Sequence, residues 1–366
     1  MREIIRTLIA DDTILYRKIV GDIISDMPDV EIIGAVSTGK IALERIEAFR
    51  PDLVILDIEM PEMNGLDVLQ AIKSRGIDLD VIILSAFSER GSEDTVRALE
   101  LGAFDFIVKP SGTSLEQNKA AIKDSLLSKI KACGIRQEIR RILRGSSIED
   151  QPVCSSSSPK SCRAQDAQPR ILKPDMVLIG VSTGGPQALG KVLSDLPSDI
   201  GVPLLIVQHM PAMFTRSLAE SLSSKSSIKV KEAEHGEEAV PNTAYIAPGG
   251  RQMGVYRGAD AKIMIRVEDG PPENNCRPSV DYLFRSAADA FPGRAAAVIM
   301  TGMGNDGTAG LVHLKRYGCF VVAQDESSCV VFGMPKEAIE AGVVDAIVPL
   351  DDIADTICKS VKRRRI

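Results

Sequence analysis

Tryptophan is absent from the 366 residues, and there are only three histidines, five tyrosines and nine phenylalanines. With so few imidazoles, any histidine-dependent chemistry can be assigned by weighing each one in turn. The seven cysteines (Cys133, Cys154, Cys162, Cys276, Cys319, Cys329 and Cys358) are odd in number, scattered and free of C-x-x-C spacing. This argues against both a disulfide framework and a cysteine-rich zinc site. No apolar run approaches the length that spans a bilayer. The N-terminal stretch reaches Asp11 and Asp12 before any signal-peptide apolar region develops, so a cytoplasmic protein without membrane insertion is expected. Basic residues are in the minority, 44 against 50 acidic, and the net charge of -6 argues against nucleic acid as the main partner. The basic run at 362–365 reads as a solvated tail.

What is present has the balance of a soluble globular protein, 44% hydrophobic and 26% charged, in a chain long enough for two domains. Short apolar runs alternate with amphipathic stretches over residues 1–130. Strands are expected at Thr7–Ala10, Ile32–Val36, Leu53–Leu56, Val81–Leu84 and Phe106–Val108. Five strands alternating with five helices imply a doubly wound parallel sheet of the flavodoxin type. From about 145 to 170 the pattern dissolves into Ser, Pro and Gln, which reads as a linker. The division is therefore 1–130, a helix end and linker over 131–173, and 174–366. The last segment predicts a second α/β domain, doubly wound and mostly parallel, with a short antiparallel excursion around 243–267.

In the first half the strand ends are polar. Asp11 and Asp12 follow strand one, Asp57 strand three, Ser85 strand four, and Lys109-Pro110 strand five. Ligands of open α/β sheets bind beyond those ends. Converging carboxylates suit Mg²⁺, and Asp57 at the centre is a candidate nucleophile for a phosphoryl group, with Lys109 offsetting its charge. Helix capping is the ordinary alternative for any single Asp. Together with Met60-Pro61-Glu62-Met63-Asn64-Gly65 and Ser85-Ala86, these residues resemble a response-regulator receiver domain over nearly all of 1–125. The resemblance implies phosphorylation of Asp57, Mg²⁺ held by Asp12 and Asp57 with help from Asp11, and phosphoryl contacts from Ser85 and Lys109. It also implies that the packing of Phe106 reports the phosphorylation state.

In the second half, Gly180-x-Ser182-x-Gly184 has nucleophile-elbow spacing. Such glycine-rich turns also bind phosphate or simply reverse the chain. The following apolar strand delivers His209, and Thr301-Gly-Met-Gly-Asn-Asp-Gly307 places Asp306 in a loop after another strand. A serine hydroxyl needs a base, and that base needs a carboxylate. His313 falls in a helical pattern and His235 in an acidic loop, which leaves His209 as the base. Asp306 competes with its alternative as a helix cap, and Asp281, Asp289 and Asp325 are rivals. A dinucleotide fold would require a carboxylate where Gln208-His209 stands. The order Ser, His, Asp differs from that of α/β-hydrolases.

These motifs, with Gln208-His-Met-Pro211, Ala247-Pro-Gly249 and Arg277-Pro-Ser-Val-Asp281, resemble the chemotaxis protein-glutamate methylesterase family, whose members also deamidate glutamine. The resemblance implies Ser182 as nucleophile, His209 as base, Asp306 as orienting acid, and oxyanion support from Thr183 and the Met303 backbone amide. No cofactor is expected in the esterase site. The implied partners are methyl-accepting receptors as substrate and a chemotaxis histidine kinase as phosphodonor, with an unphosphorylated receiver covering the catalytic rim. A receiver-controlled esterase or binding module of another pathway is the alternative. Gln252 departs from the histidine expected after Ala-Pro-Gly, which puts substrate contacts there in doubt.

Overall fold

The computed structural model describes residues 4–110, 114–145 and 173–362. In the N-terminal half, β1 (Ile5–Ala10), α1 (Ile14–Ile24), β2 (Val30–Val36), α2 (Gly39–Phe49) and β3 (Leu53–Asp57) are followed by α3 (Gly65–Ser74), β4 (Asp80–Ser85), α4 (Glu89–Leu101), β5 (Asp105–Val108) and α5 (Leu115–Gly145). The strands form one parallel sheet in the order β2-β1-β3-β4-β5. The central β3 and β4 are buried throughout, which is why their sequences read as unbroken apolar runs rather than alternating ones. Helix starts follow local chemistry: the side chains of Thr38, Asn64 and Ser88 each accept a first-turn amide of the helix that follows.

The C-terminal half begins with β6 (Met176–Val181), α6 (Gly185–Asp195), β7 (Leu204–Gln208), α7 (Phe214–Lys225), β8 (Lys229–Glu232) and β9 (Thr243–Ile246). A hairpin of β10 (Gln252–Arg257) and β11 (Ile263–Glu268) precedes α8 (Val280–Ala290), β12 (Ala295–Ile299) and α9 (Thr308–Arg316). The chain closes with β13 (Phe320–Gln324), α10 (Met334–Glu340), β14 (Ala346–Val348) and α11 (Leu350–Lys362). Seven parallel strands run in the order β14-β13-β12-β6-β7-β9-β8. From β6 the chain winds first to one side through β7 and later to the other through β12, so a topological switch point falls at the carboxyl end of β6.

The antiparallel excursion expected around 243–267 is the β10–β11 hairpin at 252–268, without the strand at its start. β9 pairs parallel with β7 and β8, and the antiparallel partner of β11 is β10. The strand β10 carries Gly254 and ends in exposed polar residues, which hid its apolar half. The helix that begins near 114 runs to Gly145, which makes the first part of the 131–173 segment the helix end expected there; residues 146–172, with Cys154 and Cys162, lie outside the described residues, as does most of the basic 362–365 run.

The two halves pack closely. Phe106 of β5 stacks on Phe214 of α7 with ring centroids 4.8 Å apart, and Phe87 lies 6.5 Å from the same ring. Around this apolar contact, Ser92 Oγ meets Ser217 Oγ at 2.7 Å, Gln187 Nε2 donates to Leu99 O at 2.7 Å, and Lys225 Nζ pairs with Glu100 at 2.5 Å. On the other side Met303, Val330 and Val331 pack against the apolar cluster that holds Ile122 and Leu126 of α5. Leu178, fully buried in β6, sits at the centre of the second sheet. Leu178→Ala is expected to destabilise the C-terminal half by about 2–5 kcal/mol, measured as a lowered urea midpoint.

Candidate active site

Ser182 follows β6 at the switch point. Its amide donates to Thr301 O at 3.0 Å, and its carbonyl accepts from Gly185 N at 2.8 Å and Gln208 Nε2 at 2.9 Å. Gly184 closes this turn at φ +79°, and a Cβ there would lie 2.5 Å from Val330 Cβ. Only glycine meets both conditions without strain. His209 extends the pairing of β7 by one residue, its amide donating to Val181 O at 3.1 Å, so serine and histidine leave adjacent strands side by side. Gln208 Nε2 also donates to His209 O at 3.2 Å, tying the two turns together.

Asp306 comes from the loop after β12. His209 Nε2 lies 2.8 Å from its Oδ2. Four further donors converge on the same carboxylate: Val280 N at 2.7 Å, Ser279 Oγ at 2.8 Å, Asp281 N at 3.1 Å and Asn274 Nδ2 at 3.1 Å. The amides belong to the free first turn of α8, an end that favours negative charge. Asp306 is therefore not the cap of α9, whose N-cap is Gly307 without a side-chain bond. Burial alone would raise this carboxyl, but His209 and the Val280 and Asn274 donors outweigh it and lower it to about 2. The rivals are engaged elsewhere: Asp281 accepts Gly310 N at 2.6 Å, Asp289 pairs with His313 at 2.7 Å, and Asp325 accepts Ser328 N at 3.1 Å.

Because Asp306 is ionised, the Nε2 facing it carries the proton, and Nδ1 is the nitrogen left for other work. That Nδ1 lies 3.7 Å from Cys276 Sγ; no hydrogen bond joins it to Ser182 Oγ among the described residues. Burial disfavours the charged ring, yet the bonds to Asp306 and Cys276 prevail and raise His209 to about 9. The two residues expected at the oxyanion differ in setting. Thr183 is buried, with its Oγ1 donating to Asp105 Oδ2 of the N-terminal half at 2.6 Å, and Asp105 is also paired with Lys129 at 2.6 Å. Met303 lies half-buried in the 301–307 loop, which is held where Gly302 N donates to Val331 O at 3.0 Å and Gly302 O accepts Met334 N at 2.9 Å. Ser182, Thr183 and His209 line a cavity of about 310 Å³ whose other wall includes Asp105, Phe106 and Lys129.

Gln252 is fully buried. Its amide accepts Ser279 N at 2.8 Å and donates to Pro271 O at 2.9 Å, holding the loop that carries Asn274 and Cys276. Gln252 thus has a structural role in this loop.

In the N-terminal half, ligand atoms of Asp11, Asp12 and Asp57 lie within 4.8 Å of one another. Lys109 Nζ sits 2.8 Å from Asp11 and 2.7 Å from Asp57. Burial raises the Asp57 carboxyl to about 6; Lys109 opposes the shift and Asp11 adds to it. An all-oxygen set of crowded carboxylates, only partly neutralised by one ammonium, fits a hard divalent cation such as Mg²⁺. Ser85 is engaged by α4, its Oγ donating to Gly91 O at 3.2 Å and accepting Thr95 Oγ1 at 2.5 Å.

Sequence reasoning missed Asp105, Phe214, Cys276, Asn274 and Ser279. Ser279 lies inside the Arg277–Asp281 block that carried the resemblance, so its importance had a signal. The others had none.

Fold and site together define a response-regulator receiver packed on an α/β domain that presents Ser, His and Asp at a switch point. The family model described as response regulator receiver domain matches residues 7–121, and that described as CheB methylesterase matches 177–357. A protein-glutamate methylesterase/protein-glutamine glutaminase of Desulfotalea psychrophila is 48% identical over 359 residues, covering 98% of this chain and 99% of its own. One of the same name from Bacillus subtilis is 41% identical over 99% of this chain and 100% of its own. The crystal structure of the Thermotoga maritima CheB methylesterase catalytic domain matches 51% of this chain and 99% of that chain, with 42% identity and a TM-score of 0.50. The chain belongs to the CheB methylesterase family, in its form with an N-terminal receiver domain.

The low Asp306 value has a pH consequence. A carboxyl lowered from 3.8 to about 2 contributes stability that is present above pH 4 and is lost as pH falls from 4 towards 2. Urea unfolding between pH 5 and 3 should show an acid loss of about 1 kcal/mol that Asp306→Asn lacks. His209 acts in the opposite sense, its contribution fading as pH rises from 6.5 through about 9.

Proposed function

We propose that Ser182, His209 and Asp306 carry out the protein-glutamate methylesterase and protein-glutamine glutaminase activity of this family on methyl-accepting chemoreceptors. The observation that carries the reading is the Asp306–His209 pair, 2.8 Å apart, beside a serine on the adjoining strand end of the switch point. Ser182 Oγ attacks the ester carbonyl while its proton passes to His209 Nδ1. The Thr183 hydroxyl and the Met303 amide stabilise the tetrahedral oxyanion. Its collapse expels the methoxy group, which leaves as methanol with the proton from His209. Water, deprotonated by the same ring, then hydrolyses the acyl-serine and returns a glutamate. With glutamine the leaving group is ammonia. The domains of this reading are 1–130, the connector 131–173, and 174–366.

Control follows from the packing. In the closed arrangement the Asp105 carboxylate holds the Thr183 hydroxyl, and the Phe106–Phe214 contact seats the receiver over the cavity. Asp57 takes the phosphoryl group from a histidine kinase, and Ser85 must turn from Thr95 to reach it. Asp11, Asp12 and Asp57 would hold Mg²⁺, which supplies positive charge against the phosphoryl oxygens. Phosphorylation shifts the closed-to-open equilibrium through the shared interface.

Methanol release from a methyl-labelled receptor tests the reading. A small phosphodonor with Mg²⁺ should raise the rate in the wild type and leave Asp57→Asn unchanged. Ser182→Ala should lower turnover by a factor on the order of 10⁶; retention of most activity would remove Ser182 from the nucleophile role. With His209 raised to about 9, the imidazolium dominates at neutral pH, so the unstimulated rate should climb as pH passes through about 9. Asp105→Ala frees Thr183 and should raise the unstimulated rate by about 5-fold or more. An unchanged rate in that variant would mean the Asp105 contact does not restrain the site.

A further inference from the structure

Cys276 faces the proposed base from the side opposite Asp306, and the mechanism makes no use of it. We propose that Cys276 Sγ and His209 Nδ1 form a binding site for a soft divalent cation of the Zn²⁺ class, and that its occupancy blocks the esterase. Three observations carry this. The first is distance: Zn–S of about 2.3 Å and Zn–N of about 2.0–2.1 Å at a tetrahedral angle place sulfur and nitrogen about 3.6 Å apart, and the two atoms stand 3.7 Å apart here. The spacing of the two atoms is therefore that of two ligands on one cation.

The second is the tautomer. Nε2–H donates to Asp306 at 2.8 Å, so Nδ1, on the Cys276 side, is the nitrogen that gives up its proton and offers a lone pair; a carboxylate behind a ligating imidazole also raises its basicity and fixes its orientation. Ligand atoms of His209, Cys276 and Asp306 lie within 4.8 Å of one another. Both Asp306 oxygens already accept bonds, Oδ1 from Ser279, Asp281 and Asn274 and Oδ2 from His209 and Val280, so the carboxylate supports the site and water completes the coordination. The third is access: Cys276 is half-exposed and sits on a loop held by Gln252, whereas Cys133 and Cys319 are buried. On binding, the thiol proton and the Nδ1 proton of the imidazolium pass to solvent, and the thiolate and neutral imidazole each donate a pair to the metal. The blocked reaction rests on His209 being the base; the binding does not.

A thiol–imidazole hydrogen bond gives the same separation, so the test must report the metal. Full-length protein is stripped of metal, supplied with excess Mg²⁺ to occupy the Asp57 site, and titrated with Cd²⁺. The expected result is a thiolate-to-Cd²⁺ absorption band that Zn²⁺ displaces, with binding weakened by about tenfold or more in Cys276→Ser and in His209→Ala. Zn²⁺ should inhibit methanol release by the wild type at concentrations about tenfold or more below those needed for Cys276→Ser, each measured against its own uninhibited rate. A band and a Zn²⁺ sensitivity unchanged in Cys276→Ser would overturn the site. A Cys276-dependent band without inhibition would keep the site and count against His209 as the base.

Discussion

The carboxylate of Asp306 joins three separated parts of the C-terminal half. It leaves the loop after β12, meets His209 at the end of β7, and accepts two free amides and a hydroxyl at the start of α8. A buried charge is costly unless it is fully hydrogen-bonded, and this one is. The helix end gains a partner for amides that have none within the helix, and the imidazole gains a fixed tautomer. One group thus settles the seat of α8 and the orientation of the ring, so the geometry of the site and the packing of the fold are not separable.

The receiver and the catalytic half meet through a contact of the same economy. Phe106 and Phe214 supply apolar area, and the polar groups around them are paired across the boundary. Among these pairs, the Asp105–Thr183 bond places a receiver carboxylate on the residue next to Ser182. Phe214 opens the helix that follows the His209-Met210-Pro211 turn, so a shift of Phe106 would be felt close to the proposed base as well. Coupling of this kind needs two discrete arrangements of a packed boundary rather than a gradual deformation.

Two aspartates show how far surroundings outweigh residue type. Asp57 ends a buried parallel strand of its sheet, and Asp306 lies in the loop after another. Burial dominates at Asp57, where a neighbouring carboxylate adds to it, and the carboxyl rises to about 6. At Asp306 the converging donors win, and it falls to about 2. The first belongs to a cluster only partly compensated by Lys109, suited to a divalent cation and a phosphoryl group. The second is a satisfied anion suited to holding a ring in place.

Periodicity and strand-end residues revealed the two α/β halves, the Asp57 cluster and the Ser182, His209 and Asp306 positions. These signals are local: a buried parallel strand must be continuously apolar, and a polar residue just past its end has to face the ligand-binding edge. The continuation of α5 beyond residue 131 and an antiparallel excursion near 243–267 were legible too, but the strand β10 was not, since it interrupts its apolar face with glycine. Which groups Asp306 accepts, why Gln252 is buried, and how Asp105, Phe214 and Cys276 reach the site were decided by tertiary structure alone. Each of those contacts joins residues far apart in the chain, or on opposite sides of a domain boundary. The composition of a segment carries no record of the segment that will be folded against it.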